Sequence, residues 1–93
     1  MAEWQVKFSG HAIRRMFERS ITKPDIAAVI RSGEVIEDYP GDKPFPSRLL
    51  LGFVEERPLH VVVARDQVTH TLHVVTVYYP NPALWSDDFR KRR

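Results

Sequence analysis

Apolar and polar positions change their spacing twice along this chain of 93 residues, and each change marks an element. Trp4, Val6 and Phe8 alternate with Gln5 and Lys7, which predicts a short strand or extended arm broken by Gly10. From His11 the period becomes helical. Ala12, Ile13, Met16, Phe17 and Ser20 fall on one half of the wheel, while His11, Arg14, Arg15, Glu18 and Arg19 fill the other. A second helix starts at Thr22. That residue can cap it, Asp25 holds the capping-box position, Pro24 suits the first turn, and Ile21 with Ile26 forms a hydrophobic staple. Ile26, Val29 and Ile30 give this helix an apolar stripe before Gly33 ends it, so the two helices are expected to pair tightly on a shared core face.

After Gly33 the spacing becomes that of strands. Glu34 to Tyr39 predicts one strand, and Arg48 to Val54, Leu59 to Ala64 and Leu72 to Tyr79 predict three more. Between the first two lies a loop, residues 40–46, whose three prolines stiffen it into a lid or rim. The other connections are too short for parallel crossovers, so the strands are expected to form a four-stranded antiparallel meander. Residues 80–93 read as an irregular tail that Leu84, Trp85 and Phe89 pin back to the body. The expected class is α+β, two N-terminal helices packed on one face of the sheet, in a single domain over residues 1–93.

Composition narrows the function classes. No apolar run approaches the roughly 20 residues needed to cross a bilayer, and the start Met1-Ala2-Glu3-Trp4-Gln5 lacks the basic and apolar parts of a secretion signal. With no cysteine there is neither a thiol nucleophile nor a thiolate zinc site, which fits a cytoplasmic protein. The formal charge is only +2, and ten of the 14 basic residues are arginine. Arginine's planar fork grips phosphate at two points, which leans toward a nucleic acid or another acidic partner. The tail Arg90-Lys91-Arg92-Arg93 alone carries four positive charges, although such tails are often merely solubilising.

Candidate chemistry gathers around histidine, tyrosine and arginine. His11, Arg15 and Arg19 succeed one another at i, i+4 and i+8, which sets a proton-exchanging group one turn from fixed positive charge. A hairpin centred near Thr69 would put His60 opposite Tyr78 and Val62 opposite Thr76, with Leu72, Val74, Thr76 and Tyr78 on one face. A histidine inside a buried apolar run needs a partner, so His60 is either a site residue or a satisfied core histidine. Arg48 opens a strand behind the proline-rich loop, where it can reach a cleft or serve as a surface ion-pair partner. His70 and His73 read as surface residues. Glu34, Glu37 and Asp38 lack metal-site spacing, and no glycine-rich phosphate loop or Gly-x-Ser-x-Gly turn is present, so neither metal nor cofactor is expected. What remains is metal-free acid and base work on a polyanion. RNA supplies its own nucleophile in the 2′-hydroxyl, leaving the protein to provide a base, an acid and positive charge on the phosphate.

The residues His11-Ala12-x-x-Arg15-Met16-x-x-Arg19-x-Ile21, Gly33-Glu34-Val35-Ile36-Glu37-Asp38-Tyr39-Pro40, Pro46-Ser47-Arg48-Leu49-Leu50-Leu51-Gly52, Pro58-Leu59-His60-Val61-Val62-Val63 and Thr76-Val77-Tyr78 resemble a bacterial domain family of unknown function. The likeness runs from about His11 to Trp85. Members are toxin-like small proteins, regarded as relatives of the RelE and MqsR ribonuclease toxins in the barnase, EndoU, colicin and RelE fold group. The resemblance implies a RelE-like fold and a metal-independent endoribonuclease of a toxin–antitoxin system, acting on free or ribosome-bound RNA. It also implies a cognate antitoxin, often a zinc-finger protein of the MqsA or YgiT type. Carried over position by position, His11, Arg15, His60 and Tyr78 would be catalytic, and Arg19, Arg48 and Thr76 would hold substrate. Glu55-Glu56 sits where relatives tend to have a glycine-containing turn, which leaves the register between the Arg48 and His60 strands open. The rival expectation is a non-enzymatic module that binds nucleic acid or an acidic protein through the arginine face or the tail. A small metabolic enzyme would need a deep apolar pocket, of which the sequence gives no sign.

Overall fold

A computed structural model, describing residues 4–93, places β1 at Gln5–Phe8, α1 at Gly10–Arg19, α2 at Lys23–Ser32, β2 at Glu34–Tyr39, β3 at Ser47–Val54, β4 at Arg57–Asp66 and β5 at Thr71–Tyr78. Residues 1–3, part of the start read above for a secretion signal, lie outside the described residues. No helix among the described residues is long and apolar enough to cross a membrane. The class is α+β, but the sheet has five strands in the order β1-β5-β4-β3-β2 and is mixed. The four predicted strands do form an antiparallel meander. The correction is at the edge: β1 adds parallel to β5, with Gln5 beside Thr71 and Phe8 beside Val74, and so precedes the helices as a full member of the sheet. A parallel pair needs a long crossover, and the whole of α1, α2 and β2–β4 serves as one here.

Local sequence explains both helices. Ser9 caps α1, its side-chain oxygen accepting from the Ala12 amide at 2.9 Å while its hydroxyl donates to the Val75 carbonyl at 2.8 Å. At the other end Ser20 turns left-handed, φ 57°, and its amide closes on the Met16 carbonyl. The expected capping box of α2 is complete, with Thr22 accepting from Asp25 N and Asp25 accepting from Thr22 N.

The helices do not form the expected tight pair. α1 lies against β5, and α2 lies mainly against β3. α2 approaches β3 closely because Gly52 has no side chain there: a Cβ would stand 2.7 Å from Val29 Cγ2. On α1 only Ala12 and Met16 are buried, whereas Ile13 is 53% and Phe17 89% exposed. The apolar half of that wheel is wider than the strip touching the sheet. Ile26 and Val29 join Leu50, Leu59, Val61, Val63, Val74 and Val77 in one core between the helices and the sheet.

The turn Glu55–Glu56 settles the register left open in the sequence. Both residues have positive φ, 51° and 67°, as in the two-residue turns that suit twisted hairpins, and Val54 pairs with Arg57 and Arg48 with Val63. The β4–β5 hairpin pairs His60 with Tyr78 and Val62 with Thr76, as predicted, but a bulge follows and Val63 pairs with Val74. The extra residue, Val75, reverses the alternation. Leu72 and Val74 therefore share the helix side with Val63, and only Thr76 and Tyr78 stay on the His60 side, which corrects the single-face expectation for that strand.

Candidate functional site

The predicted site residues meet at one end of the sheet, except Arg48. Past the end of β1, β5 has a free edge, and α1 runs beside it. There His11 Nε2 hydrogen-bonds Thr76 Oγ1 at 2.9 Å. The double use of Ser9, capping α1 and bonding the Val75 carbonyl, fixes the helix start against β5 and so sets His11 beside Thr76. Arg15 and Arg19 continue the same helix face into a groove of about 290 Å³ that they line with Arg57, Tyr78 and Asn81. Arg15 lies 3.5 Å from Glu18, a solvent-exposed pair that leaves its guanidinium usable, and Arg19 makes no ion pair among the described residues. Arg57 stacks on the Tyr79 ring at 3.4 Å.

His60 lies beneath this surface and has no exposure to solvent. Its Nε2 is 2.9 Å from the Phe89 carbonyl oxygen and its Nδ1 is 3.2 Å from the Tyr78 hydroxyl. A carbonyl only accepts, so Nε2 carries the proton and Tyr78 donates to Nδ1. Burial holds the imidazole below its ordinary value, outweighing the Phe89 bond that raises it, and nearby Arg92 adds to the lowering. Burial likewise pushes the Tyr78 phenol up. Tyr78 therefore directs its only proton inward to His60, and it also lines the groove.

The cover over His60 comes from the tail. Trp85 is 2% exposed and stands edge-on to the imidazole, with ring centroids 4.5 Å apart. Arg92 lies 4.6 Å above the Trp85 ring, Arg90 binds both oxygens of Glu34 at 2.8–3.0 Å, and Arg93 pairs with Asp87 at 2.8 Å. Most of the tail's positive charge is thus spent within the protein. Trp85 pins the tail as expected and Phe89 does so through its carbonyl, whereas Leu84 is 59% exposed and its main chain bonds to Asn81 and Arg93, both within the tail.

Arg48 lies elsewhere. It pairs with Val63 on the helix side of the sheet and sits 3.5 Å from Asp38, near the opposite end of β4 from Arg57. A β3 register read from the Glu55–Glu56 turn would have shown this. Arg57, which the sequence leaves in the connection before the His60 strand, and Asn81, which it leaves in the irregular tail, are not among the predicted site residues, although the His60–Tyr78 pairing brings both segments to one end of the sheet. His73 stacks on Phe45 and His70 on Trp4. Among the described residues, no three histidine, aspartate or glutamate side chains are grouped as a metal site needs.

No curated protein and no solved structure matches the chain. A family model described as "Domain of unknown function (DUF4258)" matches residues 8–79, which takes in both helices, β2–β5 and every groove residue except those after Tyr79, but not the tail that seals His60. With well over half of its length matched, the chain belongs to the DUF4258 family.

Proposed function

We propose that this protein binds RNA along the Arg15–Arg19–Arg57 groove and cleaves it without a metal ion, the RNA 2′-hydroxyl acting as nucleophile. The observation that supports this most is the line of His11, Arg15 and Arg19 on α1 beside Tyr78 and Arg57, with His11 tied to Thr76. Three guanidiniums suit a phosphate that gains charge as it becomes pentavalent. His11, exposed to solvent, would give its proton to the leaving 5′-oxygen. The base would be Tyr78 backed by His60: the 2′-hydroxyl proton passes to the phenol oxygen while the phenol proton passes to Nδ1 of His60. The resulting imidazolium keeps its bond to Phe89, and the burial that disfavours it limits the strength of this base. Arg48 has no part in this reading. The toxin-like resemblance adds a cognate antitoxin as partner, and Ile13 and Phe17 offer it exposed apolar surface.

A second reading is RNA binding without cleavage, favoured by the seal that Trp85 and Phe89 form over His60. Incubating the protein with RNA in EDTA separates the two. Cleavage by the wild type, lost in His11→Ala, supports the first. Intact RNA with salt-dependent binding supports the second. In that binding measurement, Arg15→Ala and Arg19→Ala should each lower the log–log salt slope by about 1, and Arg48→Ala should leave it unchanged. Neither cleavage nor binding by the folded protein overturns both.

A further inference from the structure

We infer that a second site, a cleft on the helix side of the sheet beyond the end of α2, binds a small monocarboxylate with an apolar body. Helix cover stops at Ile30 and Gly33, but the apolar surface continues through Leu50, Val63 and Leu72. The space above it measures about 470 Å³, inside the range of roughly 300–1,000 Å³ typical of small-molecule sites. Its outer wall is the proline-rich loop. That loop is fixed in place, since Ser47 donates to Asp42 at 2.7 Å and Phe45 stacks on His73 at 5.4 Å. The cleft is therefore formed before any ligand arrives.

The charges select the ligand. Arg48 pairs with Val63 and Arg65 with Leu72, so the two arginines are diagonal neighbours on the helix side, roughly 7–8 Å apart by sheet geometry. Arg48 is partly satisfied by Asp38 at 3.5 Å, whereas Arg65 makes no ion pair among the described residues. An open guanidinium fork above an apolar floor fits a carboxylate head with a hydrocarbon body. The Asp38 carboxylate repels a dianion or a nucleic-acid backbone, which leaves a single negative charge as the best match. The site is independent of the RNA groove, because Arg57 and Tyr78 lie toward the other end of β4.

The test is titration of the full chain with octanoate, octan-1-ol and octylammonium, followed by amide NMR. Octanoate should bind saturably and shift Val63, Arg65 and Leu72, with the alcohol and the ammonium roughly tenfold weaker or more. Arg65→Gln should remove the preference for octanoate over octan-1-ol while leaving the alcohol's binding unchanged, and Arg57→Gln should change neither. Non-saturable octanoate, equal affinity for acid and alcohol, or shifts centred on the Arg57 end would overturn the inference. The wild-type comparison of the three probes decides the matter even if Arg65→Gln does not fold.

Discussion

His60 donates its Nε2 proton to the main-chain carbonyl of Phe89 at 2.9 Å, a bond that joins the central strand of the sheet to the tail 29 residues further on. The ring is enclosed and neutral. This joint titrates, because charging the imidazole inside the seal is disfavoured.

Stability should therefore fall as pH drops below the ordinary imidazole value of 6.5. The folded state holds His60 below that value, so in this window the unfolded chain binds the extra proton and unfolding becomes more favourable as pH falls; above it, the stability is undiminished. Glu34, Asp66 and Asp88 are also lowered, but their effects belong below their ordinary values of 4.5 and 3.8. Urea unfolding from pH 5 to 8 should show the slope in the wild type and lose this part of it in His60→Gln. An equal slope in both proteins would refute the assignment.

Trp85→Ala should cost about 3–5 kcal/mol, as for other large buried aromatics, and should make the tail the first site of limited proteolysis. Leu84→Ala, one residue earlier, should stay within about 0.5 kcal/mol of wild type because its side chain is already in water. Denaturant midpoints of the two variants check the contrast.

Glu56→Gly should stabilise the protein by about 1 kcal/mol, since Glu56 sits in the left-handed region at φ 67° where a Cβ is unfavourable. The gain is read as a higher melting temperature. A lower one would mean that the Glu56 side chain contributes more than its backbone strain costs.

Gly52→Ala should destabilise by about 1–3 kcal/mol, because the new Cβ meets Val29, whose β-branched side chain has little room to turn aside. Gly41→Ala, with nothing within 4 Å of the added carbon, is the matched control and should be close to neutral. Equal melting temperatures would show that α2 can move away from β3.

The elements that could be read from the sequence were those set by neighbours along the chain. Thr22, Pro24 and Asp25 determine the start of α2 through hydrogen bonds spanning three residues, and the alternation from Glu34 onward determines the strands. The pairing of His60 with Tyr78 was also legible, because a hairpin's register is propagated outward from its turn. Tertiary structure decided the rest. Nothing near Gln5–Phe8 indicates that this strand pairs with β5, since its partner is separated from it by almost the whole domain. A helical wheel separates Met16 from Arg15 but cannot tell that Phe17 faces water, because that depends on where the sheet lies beneath α1. The face of Arg48 depended on a turn with unusual backbone angles, and the face of Leu72 on a bulge. His60 was identifiable as a histidine needing a partner, but only the folded tail placed Phe89 and Trp85 around it. Propensity, capping and hairpin register act over a few residues and are written locally, whereas edge pairing, burial and a polar group's final partner arise from surfaces that meet only after the chain has folded.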